Sequence, residues 1–349
     1  MTNVDLHPDE IICRNGTDHP AERDPAGHHL TAGAEQPVRA PEILTARDVP
    51  LGGPRAMTVR RTLPQKTRSL IGAWCFADHY GPQPVAESGG MRVAPHPHTG
   101  LQTVSWLFEG EIEHRDSVGS QAFVRPGELN LMTAGRGISH SEVSLPTTSV
   151  LHGVQLWVAL PEAHRDTQPA FEHVLPAEAA GPGYRCKVFI GSWLGVASWA
   201  VTYSPLLGAE LILEPGASIE LPLETSFEHG VLVDAGDITV SGVPVERAAL
   251  AYLPPGTAAL TLTCGATPAR VVVLGGEPLD EEIVMWWNFI GRSHEEVVRY
   301  REQWQSEIAA FAAGEPPSTA FGRVKDYPGN PLPAPEMPGV RLKPRPRAS

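Results

Sequence analysis

His96-Pro97-His98-Thr99-Gly100-Leu101-Gln102-Thr103-Val104-Ser105-Trp106-Leu107-Phe108-Glu109-Gly110 is the stretch whose reading decides the fold. It opens on two imidazoles two residues apart, runs through β-prone residues, and closes on a turn signal at Glu109-Gly110. Side chains two apart on a strand share a face, so His96 and His98 project together. A second pair with the same spacing, His140-Ser141-Glu142, lies beyond Arg125-Pro126-Gly127 and Gly135-Arg136-Gly137, two turn signals around a short apolar run. Two such strands in a closed barrel bring three imidazoles and one carboxylate to one ion. These nitrogen and oxygen donors suit iron, manganese, zinc, nickel or copper, and the absence of Cys from the two pairs argues against a thiolate site. Pro97 has no N–H, so its strand is expected at a sheet edge, a strand start or a bulge, on a barrel rim within reach of solvent. The Gly135-Arg136-Gly137 turn is expected to let backbone pass close to the site.

Outward from this stretch, residues from about 39 to 161 carry short β-prone runs broken by glycine and proline, as in a β-sandwich or barrel. The chain has 35 Pro and 34 Gly in 349 residues, a turn density that fits an all-β chain. A linker is expected near Leu175 to Gly183, and the pattern then repeats. Val233-Asp234-Ala235-Gly236-Asp237-Ile238 resembles Leu107-Phe108-Glu109-Gly110-Glu111-Ile112, and Ala251-Tyr252-Leu253-Pro254-Pro255-Gly256 echoes Asn130-Leu131-Met132-Thr133-Ala134-Gly135. Matching these registers sets Pro222 and Glu224 against His96 and His98, and Thr261 and Thr263 against His140 and Glu142. The second barrel is therefore expected to lack a metal, with His229 a surface or packing residue. From Asp280 to Ala313 the apolar spacing changes to three and four residues, and Ser293 with Glu296 forms a capping-box signature. A helix is expected over about 294–312, its aromatic stripe packed on a barrel.

The expected organisation is a disordered tail over 1–40, an N-terminal metal-binding domain over 41–176, a second domain without a metal site over 177–326 that includes the helix, and a Pro-rich tail over 327–349. His7, His19, His28 and His29 in the lead-in offer only adventitious chelation. Apolar residues make up 42%, ample for two cores, and no apolar run approaches the roughly 18 to 20 residues that span a bilayer. Without a charged-then-apolar leader, a cytoplasmic protein is expected. Cys13, Cys75, Cys186 and Cys264 are scattered without paired spacing, as free thiols in a reducing compartment are. A net charge of −13 disfavours nucleic acid and anionic membranes as partners. The basic cluster Arg55, Arg60, Arg61, Lys66 and Arg68 is expected to decorate an exposed strand pair.

Several stretches together resemble the pirin family of iron-binding bicupins. They are Phe76-Ala77-Asp78-His79-Tyr80-Gly81-Pro82, His96-Pro97-His98-Thr99-Gly100, Thr133-Ala134-Gly135-Arg136-Gly137-Ile138-Ser139-His140-Ser141-Glu142, Val154-Gln155-Leu156-Trp157-Val158-Ala159-Leu160-Pro161 and Leu274-Gly275-Gly276-Glu277-Pro278-Leu279. The resemblance covers about residues 45 to 325. It implies two tandem jelly-roll barrels with a C-terminal helix, and His96, His98, His140 and Glu142 as ligands of Fe2+ or another first-row divalent metal. It also implies one of two activities. The first is a non-haem iron dioxygenase of the quercetin 2,3-dioxygenase kind, acting on a small aromatic flavonol or catechol, with Glu142 as ligand and transient base. The second is a redox-sensing regulator whose partner is a protein, either a transcription factor or a metabolic enzyme. One departure stands out: Gln102 occupies a position where cupins and many pirins carry Glu, and an amide cannot act as a base. Asp78-His79 is expected to hold structure by hydrogen bonding, and His114 and His152 are left outside the site.

Overall fold

The computed structural model describes residues 40–51, 57–316 and 320–344. The expected lead-in, with its four histidines, and Cys13 and Arg55 lie outside the described residues. The chain begins β1 (Glu42–Leu44), β2 (Arg47–Leu51), β3 (Met57–Leu63), β4 (Trp74–Pro84), α1 (Val85–Ser88), β5 (Arg92–His98) and β6 (Leu101–Glu109). It continues β7 (Ile112–Asp116), β8 (Gln121–Val124), β9 (Leu129–Thr133), β10 (Ile138–Ser144), β11 (Val150–Ala159) and β12 (Ala170–Val174). A seven-stranded sheet, β12-β9-β6-β11-β4-β3-β2, packs against a four-stranded sheet, β5-β10-β7-β8. The alternation that makes these strands is plain in β3, where Met57 and Val59 are buried and Thr58 is exposed.

The second half repeats the plan, again as a seven-stranded and a four-stranded sheet. Its large sheet recruits β1, which pairs with Leu250–Leu253 through Ile43↔Ala251. The first strand among the described residues therefore completes the barrel farther from it in sequence. The stretch expected as a linker contains a strand, Ala177–Gly181, paired with Tyr184–Ile190.

The two large sheets pack back to back. Leu44, Trp74, Val104, Trp106 and Leu156 share one core with Phe189, Leu206, Leu232 and Leu274. Polar groups lock this interface: the Trp106 indole donates to Glu210 at 2.8 Å, the Trp74 indole to the Gly275 carbonyl at 3.0 Å, and the Gly72 N–H to Glu228 at 2.7 Å. Each is a buried donor satisfied across the seam, where leaving it unpaired would cost about 1–3 kcal/mol.

The expected helix is α2 (His294–Ala312), and the Ser293 side chain accepts from the Glu296 N–H as its cap. It packs on the hairpin that precedes it, and through that hairpin it lies beside the first barrel. The hairpin Val284–Trp286/Phe289–Gly291 bridges to Thr99 of the first barrel, where the Ile290 N–H donates to the Thr99 carbonyl. The segment after α2 then runs along the small sheet of the first barrel. The Leu332 N–H donates to the Pro95 carbonyl and the Ser139 N–H to the Phe321 carbonyl, while the Trp304 indole donates to the Leu332 carbonyl. Trp286, Phe289, Val297, Trp304, Phe321, Ala334 and Leu342 form the resulting core. The apolar stripe fixed that α2 must pack, but the preceding hairpin decided on which barrel.

Two expectations are corrected. In the second barrel Thr261 pairs with Glu220, not Pro222, and Glu220, Pro222 and Thr263 are exposed. The inward positions on these two strands are Ile219, Leu221, Leu260, Leu262 and Cys264, so the counterpart of the interior that carries the histidine pairs is apolar. Of the basic cluster, Lys66 is exposed, but the described arginines are engaged inward. Arg61 is buried on Asp78, Arg60 donates to the Gly81 carbonyl, and Arg68 pairs with Glu42 while stacking on Tyr252 at 3.3 Å. His229, expected as a surface or packing residue, is the latter: it is wholly buried in the second barrel, with neither ring nitrogen hydrogen-bonded.

Candidate metal centre

Pro97 sits mid-strand in β5, and β5 is the edge of its sheet, the place where a residue without an N–H is tolerated. Its neighbours His96 and His98 therefore share the interior face. β10 brings the second pair alongside: His140 is the direct partner of His96. A bulge intervenes before Glu142, which pairs with Val93, so β5 spends one extra residue there and the two strands diverge by that much. On its other edge β10 pairs with β7, setting Glu142 opposite His114 and His140 opposite Asp116.

Three of the four expected residues converge tightly. One donor atom from each of His96, His98 and His140 lies within 4.8 Å of the others. The Nε2 atoms of His98 and His140 are 3.1 Å apart. Two ligands at right angles on bonds of about 2.1 Å would be about 3.0 Å apart, so this spacing fits shared coordination. His96 Nδ1 donates to the Ala94 carbonyl at 2.8 Å, which leaves its buried Nε2 as a lone pair without a partner. Burial lowers the His96 imidazole pKa to about 4, against the raising effect of the Ala94 bond. Burial, then the neighbouring His96, pushes His98 and His140 well below the usual range. All three rings are thus neutral near pH 7, the state a metal requires.

Glu142 stands slightly apart. Its carboxylate groups within 4.8 Å with His140 and His114, and Ser105 Oγ lies 3.3 Å from its Oε1. Ser105 has one hydrogen to give and also lies 2.9 Å from the Gln155 side chain, so it donates to Glu142 when Gln155 turns its amide N–H2 toward the hydroxyl. His114 was left outside the site by sequence reasoning, yet its Nδ1 is 3.4 Å from His140 Nδ1. The signal that could have found it is the spacing His114-Arg115-Asp116, a third alternating pair in the same barrel.

The expectation of a solvent-reached rim is not met: His96, His98 and His140 are 0% exposed and Glu142 is 1%. Nor does the Gly135-Arg136-Gly137 turn serve the site. A Cβ on Gly135 would meet the Thr167 carbonyl and one on Gly137 the Ala320 carbonyl, so the glycines admit neighbouring chain segments. Gln102 lies on the far face of β6 from Ser105, bonded to Thr133 Oγ1 and the Val201 carbonyl at 2.9 Å each. The residue that departs from the family pattern does not face the imidazoles, so its amide takes nothing from them.

Around the donors the interior is partly aromatic. Trp157 stacks on Phe76 at 4.1 Å and meets His98 edge-on at 5.3 Å. Tyr80 is buried with its hydroxyl unpartnered, and burial, then Glu142 and Asp78, raises its pKa well above the usual phenol value. Asp78 holds the buried Arg61 through two bonds of 2.7 and 2.8 Å, a structural pair as expected. His79 instead turns to the barrel interface, where it and His152 approach Asp234.

Comparison with known proteins agrees with this architecture. The Pirin family model matches residues 56–158, and the Pirin C-terminal cupin domain matches residues 208–309. The chain belongs to the pirin family. It is an all-β bicupin. A Pseudomonas aeruginosa relative, provisionally named as a quercetin 2,3-dioxygenase, is 41% identical over 88% of this chain and 95% of its own length. A pirin-like protein of Caulobacter vibrioides is 36% identical over 76% of this chain and 92% of its own. The crystal structure of quercetin 2,3-dioxygenase from Acinetobacter baumannii superposes with a TM-score of 0.79 at 35% identity, covering 87% of this pirin and 98% of that chain. No helix among the described residues is long and apolar enough to cross a membrane.

Proposed function

We propose that this pirin is an iron-dependent dioxygenase for a flavonol- or catechol-type substrate, with His96, His98, His140 and Glu142 as the metal ligands. The observation that carries the reading is the convergence of three buried, neutral imidazoles at ligand spacing in one barrel. The names of the similar Pseudomonas and Acinetobacter proteins support the substrate class. The aromatic pair Phe76 and Trp157 stands beside His98 in that interior.

When bound, a divalent ion acidifies a coordinated hydroxyl, as it does water. The chain's own groups do the rest. Glu142 receives the hydroxyl proton, and Ser105 fixes the carboxylate so that it stays directed into the barrel. Tyr80 remains protonated at any ordinary pH. Gln102 takes no part.

Elemental analysis of the chain lacking residues 1–39 and any affinity tag should find one metal per chain. Oxygen consumption with a flavonol panel should then follow iron loading. Glu142→Gln should lose turnover more completely than it loses metal; equal loss of both removes the base role. No oxygen uptake across a broad phenol panel, with a reproducible protein partner instead, would replace this reading with the regulatory one.

A further inference from the structure

We propose that Asp116 and His114 form a positioning chain behind His140, which fixes the tautomer in which His140 can bind metal and makes it the strongest of the three nitrogen donors. The inference rests on the reading of His140 as a ligand. Its geometry extends through residues to which the comparisons assign no role.

His140 has two ring nitrogens with different neighbours. Nε2 faces His98, where the imidazoles converge, and Nδ1 faces His114 Nδ1 at 3.4 Å. The other nitrogen of His114, Nε2, lies 3.2 Å from Asp116 Oδ2. Asp116 is 2% exposed, and its second oxygen accepts from the N–H groups of Val118 at 3.0 Å and Ser120 at 2.8 Å. A carboxylate only accepts. His114 must then carry its hydrogen on Nε2 and present a lone pair at Nδ1. That lone pair in turn requires the His140 hydrogen on Nδ1, which leaves His140 Nε2 as a lone pair toward the metal position. The polarity of the whole chain is set at its carboxylate end.

The chain is built to hold this alignment. Phe171 of β12 stacks on the His114 ring at 4.5 Å with planes 22° apart, and the two turn N–H groups pin Asp116. His96 and His98 differ: His96 donates to the backbone carbonyl of Ala94 and His98 engages the Asn288 backbone, which side-chain substitution does not remove. His140 is therefore the ligand whose donor strength the side chains control. An anionic end transmitted through two imidazoles raises the basicity of the ligating nitrogen and favours the higher oxidation state of a bound metal.

Asp116→Asn tests this with little change of shape. The amide oxygen can keep the Val118 and Ser120 bonds, but the amide nitrogen donates where the carboxylate accepted. His114 must then carry its hydrogen on Nδ1, and His140 must turn its lone pair there and place its hydrogen on Nε2. Nitrogen-15 NMR of the metal-free protein should show His140 protonated on Nδ1 in the parent and on Nε2 in Asp116→Asn, with melting temperatures alike. Metal affinity, read by competition with a chromogenic chelator using Ni2+, should fall about 10- to 100-fold. The reduction potential of the iron-loaded variant should rise. His114→Phe, which keeps the stacking on Phe171, should match the affinity loss. The same His140 tautomer in both proteins overturns the proposal, as does an unchanged affinity and potential. Direct His114–metal coupling in the loaded parent also overturns it. If the parent itself binds no metal, the ligand reading fails, whereas the tautomer measurement still decides the chain.

Discussion

Replacing Asp234 by Asn should separate the two barrels energetically. Asp234 is wholly buried on the second barrel and receives three donors: His79 Nε2 at 2.6 Å and His152 Nε2 at 2.5 Å from the first barrel, and Arg270 Nη1 at 3.1 Å. Burial alone would raise its pKa, but the bonds from His152 and His79 hold it below the ordinary carboxylate range. Hydrogen bonds to a charged acceptor contribute about 1.5–3 kcal/mol each. The Arg270 guanidinium is 29% exposed, so solvent screens its share and the two imidazoles dominate. Both imidazoles meet Oδ1, so an Asn oxygen keeps them only as weaker bonds to an uncharged acceptor, while its NH2 faces Arg270 as a second donor. The net loss should be about 3–5 kcal/mol, the range for breaking a buried charged network, or roughly 10 °C in melting temperature. Urea titration at pH 7 with a His79→Ala/Asp234→Asn cycle measures it, and the coupling should exceed about 1 kcal/mol. A loss under about 1 kcal/mol, or strict additivity in the cycle, would refute the view that this carboxylate clasps the barrels.

Acid should weaken the fold through His79 and His229, whose imidazoles burial holds down at about 4, in His79 against the pull of Asp234 and in His229 against Glu224. A folded pKa below the unfolded value near 6.5 means that this stability is complete above about pH 6.5 and is lost as pH falls toward 4, by up to about 3 kcal/mol for each ring; denaturation midpoints that do not move between pH 7 and 5 would contradict it. His229→Leu removes a ring with both nitrogens unsatisfied, so it should stabilise by about 1 kcal/mol at pH 7 and flatten the acid slope in calorimetry. Gly135→Ala should destabilise by more than about 2 kcal/mol, since φ is +52° and the new Cβ would lie 2.0 Å from the Thr167 carbonyl; an unchanged melting curve would show that the turn can yield.

Much of the candidate centre was legible because a strand has a fixed period. His96 and His98, like His140 and Glu142, needed only a two-residue spacing to share a face, and Pro97 placed their strand at an edge. The same rule misled in the second barrel. A match carried over turns set Thr261 and Thr263 at ligand positions, and a one-residue slip in phase puts Leu260 and Leu262 inward instead. Gln102 shows the limit from another side. Its nearness to His98 in sequence suggested a role, but the intervening turn sends it to the opposite face.

The sequence by itself determined the all-β class, the tandem repeat, the capped helix and the two pairs of candidate donors, because each is written in local spacing and local hydrogen bonding. Tertiary structure alone decided which barrel receives β1 and α2, that Arg61 and Asp78 pair inside, that Asp234 meets His79 and His152, and that His114 stands behind His140. Those choices depend on which surfaces meet across the seam and across adjacent strands. Contacts between residues as distant in sequence as His79 and Asp234 leave no periodic trace in the chain that makes them.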